Sequence, residues 1–312
     1  MLSNPKGITV KNNRFRWLIA LMTLISLGAA ACGGTDDVTS EDIENVASDA
    51  GDAIDEVAEG AEDVVASAEE SAQEAVDSGA LNLATEGMLL VGSDIAFEPF
   101  EAMVDGQPEG FDIDLMDEIA SRVGVEVEYQ NTPFDTIFTQ LAGGAFDAII
   151  SAITITDERD ETIDFSDPYF AANQALAVTE DSEITGVSDF TADTVLGVQA
   201  ATTGADYALE NFADTTVQEF PTSVDAFNAL ASGQIDAVFI DLPVVGEQVE
   251  GGNAVLAEEV NTEELYGIGV QEGNTALASA INTALEEIIS DGTYAEIYGE
   301  WFEGEVPSQF AG

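Results

Sequence analysis

Beyond residue 86 the chain alternates short apolar runs with longer stretches in which apolar residues recur every three or four positions. The runs at 88–91, 125–129, 148–150, 194–198, 237–240 and 267–270 are brief and mostly preceded by Gly or Asp, which predicts strands. Helical spacing predicts helices at 112–123, 135–141, 204–211, 223–231 and 275–289. Regular alternation of the two predicts an α/β fold with largely parallel sheets.

One segment of this pattern occurs twice. Phe138-Thr-Gln-Leu-Ala-Gly-Gly-Ala-Phe-Asp-Ala-Ile-Ile-Ser151 aligns without gaps to Phe227-Asn-Ala-Leu-Ala-Ser-Gly-Gln-Ile-Asp-Ala-Val-Phe-Ile240. Each copy reads as a helix, a Gly able to stop it (Gly144, Gly233) and a buried strand. Two copies predict two similar lobes. Ligands of open α/β sheets sit beyond the carboxyl ends of the strands, here Ser151 to Thr154 in one lobe and Asp241 in the other, so a cleft between lobes is expected.

The first 86 residues are different in kind. Lys6, Lys11, Arg14 and Arg16 precede a fifteen-residue apolar run at 17–31, too short to span a bilayer and suited to the core of a secretory signal. Small residues then lead into Cys32, the single cysteine, as in a bacterial lipoprotein signal, although Ala29 stands where Leu is usual. Lipidation of Cys32 and export are therefore expected. Residues 33–86 hold 17 acids, no base and no aromatic, too little apolar surface to fold alone. Residues 32–86 read as a spacer, either a disordered tether or a partly helical stalk.

The chain carries 62 acidic and 6 basic residues, with no His, and after Cys32 only Arg122 and Arg159 are basic. Such a balance excludes nucleic-acid or anionic-membrane binding through basic patches, and suggests adaptation to high salt. A base kept in so acidic a chain, within the polar segment ending at Arg159, is a candidate anion contact. Nucleophilic or His-based catalysis lacks its parts, and no metal-ligand cluster or phosphate-cradling loop stands out, so neither metal nor cofactor is expected.

The folded region resembles the amino-acid-binding (family 3) periplasmic solute-binding proteins of ABC importers. The resemblance covers 87–302 and rests on Val91-Gly-Ser-Asp94-Ile-Ala-Phe97-Glu-Pro-Phe-Glu101, Gly110-Phe-Asp-Ile-Asp-Leu115, Thr154-Ile-Thr-Asp-Glu-Arg159, Asp164-Phe-Ser-Asp-Pro-Tyr-Phe170, Gly197-Val-Gln-Ala-Ala-Thr-Thr-Gly204, Tyr266-Gly-Ile268 and Asp291-Gly-Thr-Tyr294 with Trp301-Phe302. It implies the two-lobed type II periplasmic-binding-protein fold, with two mixed sheets flanked by helices and joined by a two-strand hinge. Lobe 1 would comprise 87–170 and 267–312 and lobe 2 171–266, with crossings near 169–173 and 262–267.

The resemblance also implies a site. Arg159 would grip a ligand α-carboxylate through two parallel N–H bonds, which Lys cannot offer. Thr154 and the backbone N–H groups of Ala152 and Thr203 would complete that end. Ser151, Gln199 and Thr202 belong to the loops beside them, and Ala201 replaces a usual Gly. Asp241 would take the ligand ammonium, although an Asp before Leu242-Pro243 could equally cap a helix. Asp94, Phe97 and Phe134 would line the side-chain pocket. Arg122 should pair locally, leaving no base for an acidic side chain and favouring glutamine or a cationic amino acid. The expected partners are that amino acid, the permease subunits and, through Cys32, the outer face of the membrane, the protein itself being a monomer. A dehydratase-like enzyme on the same fold and a ligand-binding sensor are the alternatives.

Overall fold

A computed structural model describes residues 81–312. The signal-like run, Cys32 and most of the acidic spacer lie outside the described residues. The end of that spacer does not behave as one: Leu81 is buried in the main core, and the Ala84 N–H donates to Asp147 Oδ1 at 2.8 Å. The folded region therefore begins before residue 87, because an apolar side chain and a backbone donor find partners there.

The first sheet has the order β5-β1-β6-β13-β7, formed by Glu126–Asn131, Met88–Ser93, Ala148–Ile149, Gly269–Gln271 and Ile163–Phe165. The second has the order β10-β9-β11-β8-β12, formed by Thr216–Phe220, Val195–Gln199, Ala237–Asp241, Phe170–Val178 and Val255–Tyr266. In each, three adjacent strands run parallel, the fourth (β13 or β8) is reversed, and the edge strand (β7 or β12) pairs antiparallel with that fourth strand and so runs with the first three. A small hairpin sheet, β2-β3-β4, covers Ala96–Phe97, Glu101–Val104 and Gln107–Glu109.

The repeat is real at the level of hydrogen bonds. Helix α2 (Phe134–Ala142) precedes β6 and helix α5 (Ser223–Ala231) precedes β11, and the turns between pass through Gly144 (φ 79) and Gly233 (φ 69). The aspartate opening each strand accepts a backbone N–H from the neighbouring parallel strand: Leu90 N to Asp147 at 2.9 Å and Val195 N to Asp236 at 2.8 Å. β11 is buried at all five positions, as a parallel strand covered on both faces must be.

Helix α1 (Phe111–Val123) buries Leu115, Met116, Ile119 and Val123 at helical spacing, and Gly124 ends it in the left-handed conformation (φ 83). Its start lies so close to the hairpin that a Cβ on Gly110 would come within 2.0 Å of the Phe100 carbonyl. Helices α7 (Thr275–Ser290) and α8 (Thr293–Trp301) pack on α1, bringing the end of the chain back to the first sheet. Arg122 fastens that junction through Asp291 at 2.8 Å and Thr293 at 3.1 Å, and pairs within α1 with Glu118 at 2.8 Å. It is spent locally.

The chain crosses between the sheets on β8 and β12, paired antiparallel through Phe170↔Tyr266, Ala171↔Leu265 and Ala172↔Glu264. Phe100, Phe111, Phe170, Tyr266 and Phe302 meet at this crossing with ring centroids 5.0–6.2 Å apart. Among the described residues no helix is long and apolar enough to cross a membrane.

Candidate functional site

The loops leaving the carboxyl ends of β1, β6, β9 and β11 converge between the sheets. All eleven residues expected at the site line one nearly enclosed space there. A wider open groove of about 620 Å³ lies on the other side of the crossing strands, between Pro99, Leu242 and Trp301, and receives none of them.

Arg159 sits in the short helix α3 (Asp157–Asp160), which Thr156 caps by accepting the Arg159 N–H. Its guanidinium lies 4.7 Å from the Phe138 ring centroid and 5.5 Å from that of Phe134. Phe138 was not anticipated, although it follows Phe134 by one helical turn and so shares its face. Nη1 donates to the Thr154 carbonyl at 2.7 Å and Nη2 to the Ala201 carbonyl at 3.3 Å. Two of five donors are thus used to aim the group. Burial pulls its pKa down from the ordinary value, opposed by the charges of Glu264, Asp206 and Asp241.

Helix α4 (Thr203–Asn211) begins opposite. The Thr202 hydroxyl accepts the Ala205 N–H at 3.0 Å and donates to the Gln199 carbonyl at 2.8 Å, so it is a helix cap rather than a free ligand group. The first N–H groups of a helix have no intrahelical partner, which leaves Thr203 N–H as a donor beside Arg159. Ala201, in place of the usual Gly, adopts the left-handed conformation nonetheless (φ 63).

Three expected roles change. The Ala152 N–H donates to Asp112 Oδ2 at 2.7 Å, behind the cleft, and is not available to a carboxylate. The Ser151 hydroxyl donates to Glu101 at 2.5 Å and accepts the Asp94 N–H at 3.1 Å, so it ties the β6 loop to the β1 loop. The Thr154 hydroxyl donates to Glu264 Oε2 at 2.6 Å, so its proton points away from a ligand carboxylate. Beneath these loops lie Glu101 and Asp112, fully buried, with Glu101 Oε2 and Asp112 Oδ1 lacking other partners. Burial pushes both carboxyls up, Asp112 to about 7, and the Asp112 charge raises Glu101 further.

Asp241 ends β11 and precedes α6 (Leu242–Glu250), yet it makes no side-chain cap bond. Its carboxylate accepts instead from Gln174 Nε2, which also donates to Glu264 Oε1 at 2.9 Å. Burial pushes Asp241 up to about 7, the Glu264 charge adding to the rise and the Tyr266 hydroxyl opposing it. Glu264 itself escaped the sequence reading. A bulge in β12 between Val260 and Glu264, with Glu263 at φ 52, turns its side chain inward.

At the other end of the space Asp94 is 4% exposed and pushed by burial up to about 6. Gln199 Nε2 donates to it at 2.9 Å, bridging the two sheets' loops. The arrangement is thus a guanidinium and helix start at one point, paired carboxylates at a second, and an acid with Phe97 and Phe134 at a third. The charges around the space complement a small zwitterion with a polar side chain, but the space itself measures about 20 Å³, room for a water and not for an amino acid until the two sheets move apart.

This class of arrangement is matched by known proteins. Residues 89–304 match the bacterial extracellular solute-binding proteins, family 3, and the chain belongs to that family. The ABC transporter glutamine-binding protein GlnH of Bacillus subtilis (strain 168) is 38% identical over 209 residues, covering 65% of this chain and 76% of that protein. Among solved structures, an ancestral arginine-binding protein bound to glutamine superposes with a TM-score of 0.67 at 38% identity, covering 70% of this chain and 100% of that one. The ancestral amino acid-binding protein AncCDT-1, a precursor of cyclohexadienyl dehydratase, superposes at 0.68 with 34% identity, covering 73% and 99%.

Proposed function

We propose that this protein captures a free polar amino acid between its lobes and delivers it to the permease of an ABC importer. It would act as a monomer outside the cytoplasm, held to the membrane through Cys32. The observation that carries the reading is Arg159, a base almost alone in an acidic chain, lying over two aromatic rings and aimed beside the start of α4. An α-carboxylate there meets a guanidinium fork and a helix N-terminus together. Asp241 receives the ammonium.

Asp94 between Phe97 and Phe134 suits a side-chain amide or guanidinium. Glutamine and the cationic amino acids are the favoured ligands, and the relatives named above include both glutamine and arginine binders. Isothermal titration with the twenty amino acids tests this: one or a few should bind, and Arg159→Ala should abolish that heat. Absence of heat with all twenty would sink the ligand class. Turnover of a prephenate-like acid would instead favour a dehydratase.

A further inference from the structure

Glu264, the partner of Asp241 in the carboxylate pair, is given no ligand contact above, yet it is buried (9% exposed) and bonds three residues around the cleft. Its Oε2 receives the hydroxyls of Thr154 at 2.6 Å and Thr203 at 2.7 Å, and its Oε1 receives the Gln174 amide at 2.9 Å. A carboxylate can only accept. Both threonine protons are therefore directed at Glu264, and the hydroxyls can offer only lone pairs to the cleft. The same Gln174 amide holds Asp241. Beside Gln174 the start of α4 is glycine, and a Cβ on Gly204 would lie 2.6 Å from Gln174 Oε1. That close approach leaves the amide little freedom to swing away.

We propose that Glu264 is a positioning residue that makes this corner of the cleft selective for a protonated α-amino group. It acts through Thr154, whose oxygen it converts from an optional donor into an obligatory acceptor, and it adds negative charge beside Asp241. A ligand with a hydroxyl in place of the ammonium lacks the charge, and one N–H donor after another, that this corner accepts. The inference rests on the amino-acid reading above and adds to it a residue outside the space that the ligand fills.

The test compares arginine and glutamine with their α-hydroxy counterparts, 5-guanidino-2-hydroxypentanoic acid and 4-carbamoyl-2-hydroxybutanoic acid. Titration of the wild-type chain should show strong preference for the amino forms. Glu264→Gln keeps the shape but removes the charge and replaces one acceptor oxygen with an NH2 donor, and should narrow the amino-over-hydroxy ratio by about tenfold, the difference between charged and neutral hydrogen bonding. Thr154→Val, on the β6 loop and bridged to the crossing strand through backbone groups that the substitution keeps, should narrow it as well, and supplies the answer should Glu264→Gln fail to fold. An equal drop for both ligand types in both variants would mean that Glu264 only shapes the crossing strand, and the proposal falls. Tighter amino-acid binding in Glu264→Gln would make it a competitor and overturn the proposal equally. If the wild-type chain binds none of the twenty amino acids, it is the amino-acid reading that has failed.

Discussion

The loop leaving β6 in the first sheet and the loop leaving β11 in the second start from matching strands and end in opposite charges. Both strands sit third in a parallel triplet, both follow a helix stopped by a glycine, and both are opened by an aspartate bonded to the neighbouring strand. After β6 the chain turns through Ala152 to the Arg159 fork; after β11 it goes straight into α6 with Asp241 facing the cleft. Duplicated scaffolds thus place a cation and an anion on two walls of one space. Arg159 and Asp241 come from different lobes, so a zwitterion held as proposed above would span both.

The most severe way to break this pairing is at its positive side. Arg159→Lys keeps the charge but removes the planar fork and its contact with the Phe134 and Phe138 rings. Binding of the preferred amino acid should weaken at least about 100-fold by titration. Retention within a few-fold would show that charge alone, without geometry, holds the carboxylate.

The negative side should respond differently, because Asp241 is costly to the fold. Its folded pKa of about 7 exceeds the unfolded value of 3.8. A raised carboxyl contributes stability that is full below the unfolded pKa and is lost as pH rises towards the folded one. Asp241→Asn should therefore lose ligand binding, yet raise the stability of the free protein at pH 8 by on the order of 1–3 kcal/mol. A lower melting temperature for this variant at pH 8 would show that Asp241 is neutralised by something other than a ligand.

The same sign applies to the wild-type chain. Asp94 rises to about 6 and Asp112 to about 7, both by burial. Together with Asp241 these groups keep protons that the unfolded chain releases between about pH 4 and 7, so stability should fall across that window. Melting temperatures at pH 5.5 and 8.0 check this at fixed salt, since the dense surface charge is itself screened by salt. A higher value at pH 8.0 would contradict the protonated cluster behind the β6 loop.

How much of this was legible follows the same division. Periodicity marked α1, α2, α4, α5 and α7 to within about a residue of their ends, because each buries one apolar stripe. It missed β8 and β12. Phe170–Val178 is half alanine and asparagine, and Val255–Tyr266 carries four glutamates, so neither has a strand's composition; β8 becomes a strand between β11 and β12, and β12 by pairing with β8. Helix α6 was hidden by Pro243, which a first turn tolerates. At the site, Arg159 stood out as one of two bases after Cys32, while the role of Asp241 was singled out only through the family resemblance, its own context allowing a helix cap. Roles set by who receives a proton were not legible: the occupied Ala152 N–H, the turned Thr154 hydroxyl and the inward Glu264 all depend on partners 40 to 110 positions away.

The finest comparison between the lobes is between two alanines. Ala152 after β6 and Ala201 after β9 both hold the left-handed conformation, at φ 46 and φ 63. An L side chain there costs roughly 1 kcal/mol relative to glycine, part of which glycine returns through its freer unfolded chain. Ala201→Gly should accordingly stabilise the protein by about 0.5 kcal/mol, read as a small rise in melting temperature. Ala152 differs in that Asp112 grips its N–H, which fixes the loop independently of the side chain. Ala152→Gly should therefore leave ligand affinity unchanged, whereas Ala201→Gly, which loosens the carbonyl that Arg159 leans on, should weaken it by two- to threefold, within the weak range of a single hydrogen bond. Equal effects at the two positions would mean that the α4 loop is held as firmly as the β6 loop, and that the asymmetry between the lobes ends at their charges.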